Sequence, residues 1–95
     1  MASEQQARPA DVNEILMEMT QFMATLAWQK MGLQPDMVTG KIEKDIRQAK
    51  LAVDVATSLA GHLEPQLDDD DRRQIRNMVS DLRINFVQQS GGEVS

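Results

Sequence analysis

Apolar residues recur with the period of an α-helix on two separate faces of residues 11–31. At about 100° per residue, the larger group covers a continuous arc of roughly 140°. This group comprises Val12, Ile15, Leu16, Met19, Phe22, Met23, Leu26 and Ala27. Asp11 supplies an N-cap, and Gly32 suits the position after the last turn. The pattern predicts a first helix whose wide arc packs on the core of the same chain, with Gln29 on the solvated side.

A second apolar stripe lies on one flank of the same predicted helix. It consists of Met17, Ala24, Trp28 and Met31, which are separated by seven, four and three residues. This spacing is typical of a seam where two helices pack. Two interpretations follow: a three-helix fold wraps the first helix on both sides, or the stripe contacts a second subunit. We expect a subunit interface with Met17, Trp28 and Met31 as its anchors.

The middle of the chain is predicted to hold a connector and a second helix. Residues 33–44 contain helix breakers and a turn at residues 38–40, and their apolar side chains are expected to anchor on the core. Those side chains are Met37, Val38 and Ile42. A capping box at Asp45 opens a helix that runs to about residue 60 and ends at Gly61. Its alanines at positions 49, 52, 56 and 60 allow close approach, so we expect it to lie between its neighbours.

A third helix is expected from Asp68, its cap, to about residue 88, with the carboxylates of residues 69–71 in the first turn. Its apolar stripe is narrow, which is typical of an outer helix. The stripe comprises Ile75, Met78, Val79, Leu82 and Phe86. Ile84 and Val87 lie off this stripe, and we expect them to contact a second subunit.

No segment alternates with the period of a strand, so the sequence predicts an all-α fold of three main helices. This fold is a small helical bundle or hairpin that oligomerisation completes. We expect a flexible tail over residues 1–10, one helical domain over residues 11–88 and a disordered tail over residues 89–95. A domain of this size is marginally stable alone, and the lack of cysteine excludes disulfides. Oligomerisation is the remaining source of stability.

The charge and the hydropathy of the chain argue against two classes of partner. A formal net charge of −5 argues against nucleic-acid binding by bulk electrostatics, because neutralising phosphates needs a basic surface. No stretch approaches the ~18 uninterrupted apolar residues that span a bilayer, and no signal-peptide segment is visible. We therefore expect a soluble cytoplasmic protein that contacts no membrane.

Two charge clusters are candidate binding sites. Residues 68–71 carry four carboxylates in a row, but no glycine-bearing calcium loop is present, so a capping role is preferred to metal binding.

Four arginines make the third helix locally basic: Arg72, Arg73, Arg76 and Arg83. They are candidates for an anion or nucleic-acid contact. The preferred alternative is pairing along the helix, of Asp68 with Arg72 and of Asp69 with Arg73.

Ordered short motifs run through the chain as G-L, P-x-x-x-T-G, A-K-x-x-x-D and L-R-x-x-F-V. Their residues, together with three single matches, are Phe22, Leu26, Gly32, Leu33, Pro35, Thr39, Gly40, Asp45, Ala49, Lys50, Asp54, Leu82, Arg83, Phe86 and Val87. The combination resembles a bacterial family known as domain of unknown function 1844, over residues 11–88. Residues 61–71 depart from the family's K-T-x-G-N-L-like turn. The resemblance implies a small helical cytosolic protein and assigns no activity.

Two of these motifs place charged residues among core positions. We expect Asp54 and Arg83 to form an ion pair that is either buried or bridges two subunits. An alternative is an enzyme whose inter-subunit pocket uses Asp54, His62 and Arg83 as polar groups. No nucleophile or phosphate-cradling loop accompanies them. The sequence therefore favours a non-enzymatic interaction module without cofactors or metals, a homo-oligomer with a dimer as first choice, or else a binder of an unidentified protein.

Overall fold

The structure, a computed structural model, describes residues 8–91 and has three α-helices within that range. They are α1 (Val12–Lys30), α2 (Ile46–Leu63) and α3 (Asp69–Ser90), and a short 3-10 helix, Glu64–Gln66, joins α2 to α3. No strand occurs between residues 8 and 91. The predicted all-α fold with three main helices is thus confirmed for this range. Residues 1–7 and 92–95, where most of the two expected tails fall, lie outside the described part.

Each helix begins where the sequence predicts, because an aspartate caps it. The Asp11 carboxylate accepts the amides of Asn13 at 2.8 Å and of Glu14 at 3.3 Å. Asp45 and Asp68 each accept the amide three residues further on, at 3.2 Å and 2.9 Å. These bonds satisfy amides that the first turn of a helix leaves without a partner.

Two helices end later than predicted. Gly61 does not stop α2, which continues to Leu63 and buries that side chain completely. Burying a leucine gains about 1.5–3 kcal/mol, whereas an interior glycine costs roughly 1 kcal/mol. α3 extends to Ser90, which is buried, and ends at Gly91 with a φ of 57°. Residues 89 and 90, which were expected to begin the C-terminal tail, are therefore the last two residues of α3.

The second helix is the centre of the fold, as the alanine pattern predicts. α2 packs along α1 and against α3, whereas α1 and α3 contact each other much less. The four alanines of α2 are at most 5% exposed. The other buried apolar residues are Ala24, Ala27, Met31, Val53, Leu63, Ile75 and Leu82. The fold is thus an α1–α2 hairpin with α3 packed against one side.

Arg72 fixes the turn between α2 and α3. Its guanidinium donates to the carbonyl of Glu64 at 3.0 Å and to the carbonyl of Leu67 at 2.7 Å. It also pairs with the Asp69 carboxylate at 2.9 Å. The predicted pairing of Arg72 with Asp68 is wrong, because the Asp68 side chain caps α3 and the two carbonyls orient the arginine away from it.

Candidate interaction surface

The two apolar faces of α1 exchange part of the roles predicted for them. Ala24 and Met31, placed at a subunit interface by the sequence analysis, are 4% and 0% exposed within a single chain. Met17 and Trp28 are partly buried and pack against the core. Half of the wide arc that was expected to form the core is in solvent, whereas Ala27 is buried and Leu16, Met23 and Leu26 pack against the core. Its exposed members are Val12 at 76%, Ile15 at 45%, Met19 at 49% and Phe22 at 53%.

The position of α3 explains this exchange. An α1–α2 hairpin has two sides, and α3 covers the side that carries Met17 and Trp28. Met17 packs against the cluster that contains Ile75 of α3, and Trp28 packs against the cluster that contains Leu82 of α3. The interpretation in which the fold covers both flanks of the first helix is therefore correct for one flank only. One flank is covered by α3, and the other is covered by nothing within residues 8–91.

The uncovered side of the hairpin carries exposed and half-buried apolar side chains from both helices, and it is here called the open face. It consists of Val12, Ile15, Met19, Phe22, Met23 and Leu26 of α1 with Leu51 and Val55 of α2. A shallow groove of about 230 Å³ runs between the two helices on this side. The groove is lined by Met23, Leu26, Lys30, Gln48, Leu51 and Ala52. Leu51, which the sequence analysis did not select, is 64% exposed at its edge.

The α1 half of the open face has the spacing of a coiled-coil seam. Its residues Val12, Ile15, Met19, Phe22 and Leu26 follow one another at intervals of three, four, three and four. Such a row keeps one line of side chains directed at a neighbouring helix over four turns. This spacing is visible in the sequence, but the stripe of Met17, Ala24, Trp28 and Met31 has seam spacing too, so the spacing alone does not say which face stays open.

An ordered connector borders the open face beside Lys30. The Asp36 carboxylate accepts the amides of Thr39 at 3.0 Å and Val38 at 2.7 Å, and these bonds lower the pKa of Asp36. Lys30, which lines the groove, lies 3.7 Å from the same carboxylate. Gly40, with a φ of 71°, completes the predicted turn by donating its amide to the Asp36 carbonyl.

The connector does not bury its apolar side chains, so their expected anchoring on the core is wrong. Met37 is 51% exposed, Val38 is 87% exposed and Ile42 is 58% exposed. The physical reason is that hydrogen bonds hold the connector: the Gln29 side chain accepts the Met37 amide, and the Asp45 amide donates to the Lys30 carbonyl at 2.8 Å. The apolar side chains of the connector are therefore left exposed.

The two remaining interface candidates, Ile84 and Val87, lie on the outer side of α3 and are 53% and 67% exposed. They line a separate depression of about 440 Å³ with Arg83 and Gln88. This surface is small and carries only two apolar side chains. The open face carries eight, so it is the stronger candidate for an interface.

The expected ion pair between Asp54 and Arg83 is not formed within the chain. The Asp54 carboxylate instead pairs with Lys50, one turn earlier on α2, at 2.9 Å. Both Asp54 and Arg83 are exposed, so the buried form of the pair is wrong. The intrahelical pair forms because residues four apart on a helix are neighbours. The subunit-bridging form stays a prediction.

The polar groups proposed for an inter-subunit enzyme site do not converge within a single chain. Asp54 and His62 are eight residues apart on α2, about 12 Å along the helix axis. Arg83 lines a depression of about 340 Å³ with Glu64, Arg76, Val79, Ser80 and Ile84. Neither Asp54 nor His62 lines that depression. Between residues 8 and 91, no three side chains of His, Cys, Asp or Glu come together as metal ligands would.

The arginines proposed for anion binding are mostly paired with carboxylates. Arg73 lies 3.3 Å from Asp70, and Arg76 lies 2.7 Å from Glu64. The predicted pairing of Arg73 with Asp69 is wrong, because Asp69 is bound by Arg72 and Arg73 takes the carboxylate three residues back. These pairs offset most of the positive charge that would attract a phosphate backbone.

These features define a small all-α domain of three helices with an uncovered apolar face. In the part of the chain that the structure describes, no helix is both long and apolar enough to cross a bilayer. Residues 14–88 match the model of the family described as "Domain of unknown function (DUF1844)". The chain belongs to this family, as the sequence motifs indicate. No curated protein and no solved structure matches the chain.

Proposed function

We propose that the chain is a non-enzymatic interaction module that forms a homodimer through the open face. One observation carries the proposal: half of the widest apolar arc of α1 lies in solvent, although the narrower stripe of the same helix is buried or packed against the core. Monomeric proteins rarely leave a contiguous apolar surface of this kind uncovered, and such surfaces mark sites of association. The absence of cysteine fits a reducing compartment, so we propose the cytoplasm as its location.

The partner that we propose for the open face is a second copy of the same chain. The seam from Val12 to Leu26 needs a partner with a matching row of apolar side chains, and another copy presents that row. Two copies related by a two-fold axis would bury both faces at once and leave no further apolar surface at the contact. The dimer core would then be a four-helix arrangement made from two α1–α2 hairpins.

The test is the solution mass by light scattering coupled to gel filtration, measured at several protein concentrations. We expect the wild type to be a dimer and Phe22→Glu to be a monomer with unchanged helical circular dichroism. A charge at Phe22 lies in the middle of the seam and would have to be desolvated on association. Met19→Glu is a second variant at the same seam and should behave in the same way.

Ile84→Glu is the matched control, since Ile84 is as exposed as Phe22 but lies on α3. We expect this variant to remain a dimer. A monomeric wild type would overturn the proposal. A dimer that dissociates with Ile84→Glu and survives Phe22→Glu would also overturn it, and would assign the interface to α3.

A further inference from the structure

The methionines of residues 8–91 fall into two groups by their surroundings. Four of them lie in the core or pack against it: Met17, Met23, Met31 and Met78. Met19 and Met37 belong to neither core cluster, and they are 49% and 51% exposed. Within the described range, these two thioethers are therefore the most accessible to a reagent in solution.

The two exposed methionines differ in position. Met19 is the middle residue of the seam on α1, with two seam residues before it and two after it. Met37 lies in the connector, where the Gln29 side chain accepts its backbone amide, and it is not part of the seam. One chain thus carries one thioether within the open face and a second thioether, equally exposed, as a reference.

A thioether is the one group of the seam that a mild oxidant changes, and Met19 is the only seam residue that carries sulfur. The sulfur lone pair attacks one oxygen of hydrogen peroxide. An S–O bond forms, the O–O bond breaks, and the departing oxygen leaves as water after taking a proton. Sulfur loses two electrons and the peroxide gains them. The product, methionine sulfoxide, is polar and chiral, whereas the methionine side chain is apolar and flexible.

In the proposed homodimer, association removes the Met19 side chain from water. A sulfoxide oxygen at that position would lose its hydrogen bonds to water, and the side chains of the seam offer no donor in exchange. Those side chains are Val12, Ile15, Phe22 and Leu26. Burying a polar group without a hydrogen bond is unfavourable, and each dimer would hold two such groups. Oxidation of this one sulfur therefore opposes association while the core of the single chain is left unchanged.

We propose that Met19 is an oxidation site that switches the chain from dimer to monomer, with a hydroperoxide as the oxidant. This inference rests on the proposed homodimer and adds the chemistry that regulates its contact. Met19 is exposed in the single chain, so the monomer is the form that reacts, and the sulfoxide then keeps it monomeric. Methionine sulfoxide reductases, one for each epimer, reverse the step at the expense of a dithiol.

The first test compares the oxidation rates of Met19 and Met37 in the same sample. Dilute hydrogen peroxide is added at protein concentrations below the dimer Kd and about a hundredfold above it, and peptide mass spectrometry follows each sulfoxide. We expect similar rates at the two residues in dilute protein. In concentrated protein the rate at Met19 should fall roughly tenfold with the monomer fraction, and the rate at Met37 should not change. Phe22→Glu should keep the dilute rates throughout.

The second test measures the effect of the sulfoxide on the dimer by light scattering. Oxidised wild type should keep its helical circular dichroism, and its dimer Kd should rise at least about tenfold and recover after treatment with the reductases. Met19→Leu conserves volume and apolar character but has no sulfur at this position, so it should remain a dimer after the same oxidation. Met37→Leu is the matched control, which keeps Met19 and should dissociate as the wild type does.

The outcomes separate this inference from the proposed homodimer. A dimer whose Kd is unchanged by full oxidation of Met19 would overturn the switch and leave the homodimer intact. Peroxide-induced dissociation of Met19→Leu would also overturn it, as would equal concentration dependence of the two oxidation rates. A loss of helical circular dichroism on oxidation would place the effect in the core and overturn it as well. A wild type that is monomeric at every concentration would overturn both proposals.

Discussion

The buried side chain of Gln29 accepts the backbone amide of Met37 at 3.0 Å, and this bond fastens the connector to α1. Gln29 is only 5% exposed, although the polar pattern places it on the solvated side of the helix. A buried amide without a partner would cost roughly 1–3 kcal/mol, so the helix and the connector satisfy each other. The connector is therefore ordered without burying Met37 or Val38, which remain available for contact.

Replacing Gln29 by methionine should destabilise the fold. Gln29→Met keeps the length of the side chain but removes the acceptor, which leaves the Met37 amide without a partner at a cost of about 1–3 kcal/mol. Urea unfolding followed by circular dichroism measures the change. Gln21→Met, at an exposed position of the same helix, is the control and should change stability by less than about 0.5 kcal/mol. Equal effects for the two variants would contradict the proposed role of the bond.

Asp36 should make stability depend on pH in the acid range. The amides of Thr39 and Val38, with a smaller effect of Lys30, lower the pKa of Asp36 in the folded state, and burial opposes them. A lowered folded pKa contributes stability above the unfolded pKa of about 3.9, and that contribution is lost as pH falls through the folded pKa. Asp36→Asn keeps an acceptor oxygen but has no charge to lose.

Urea midpoints for the wild type and Asp36→Asn, measured from pH 6 to pH 2, test this expectation. The wild type should be the more stable above about pH 4, and the difference should shrink as the pH falls. A difference that stays constant over the whole range would mean that the Asp36 charge makes no contribution.

Arg72 should matter more to stability than its neighbour Arg73. Arg72→Met removes the donors that bind the carbonyls of Glu64 and Leu67, which we expect to cost about 1–3 kcal/mol. Arg73 makes only an exposed pair with Asp70, so Arg73→Met should cost less than about 1 kcal/mol. Thermal or urea unfolding of the two variants compares them directly. Similar losses would show that the carbonyl bonds of Arg72 contribute nothing specific.

Local signals in the sequence were sufficient for the helix starts and for the central position of α2. The carboxylates of Asp11, Asp45 and Asp68 each accept a backbone amide within the first turn of their helix. Each cap therefore depends only on the aspartate and the three residues that follow it. The alanine face of α2 likewise has one use in a small helical fold, which is close packing on both neighbours.

The choice between the two apolar faces of α1 could not be predicted in the same way. Both faces have helical periodicity, and hydrophobicity alone does not say which side α3 covers. That choice depends on packing such as that of Met17 against the cluster of Ala60, Leu63 and Ile75, which joins residues distant in sequence. The arginine pairs were mispredicted for a related reason: backbone carbonyls of the turn, invisible in a helical pattern, bind Arg72 first.

The tight contact between α2 and its neighbours should not tolerate a larger side chain at Ala56. Ala56 is fully buried, and Ala56→Leu would force helices apart or side chains off their rotamers at a cost of about 1–3 kcal/mol. Ser58→Leu, at an exposed position of α2, adds the same side chain without a neighbour to displace. The urea midpoint should fall for Ala56→Leu only. A fall for both would point to helix propensity or solubility instead of packing.

Truncating one methionine on each face of α1 tests the exchange of the two faces directly. Met31 is 0% exposed and Met19 is 49% exposed, so Met31→Ala should cost about 2–5 kcal/mol of monomer stability and Met19→Ala less than about 1 kcal/mol. Unfolding must be followed at protein concentrations below the dimer Kd, because association stabilises the folded state by mass action. At higher concentration Met19→Ala should lose stability as well, since it then weakens the dimer contact. A large loss for Met19→Ala at low concentration would place the wide arc in the core of the single chain and would remove the open face.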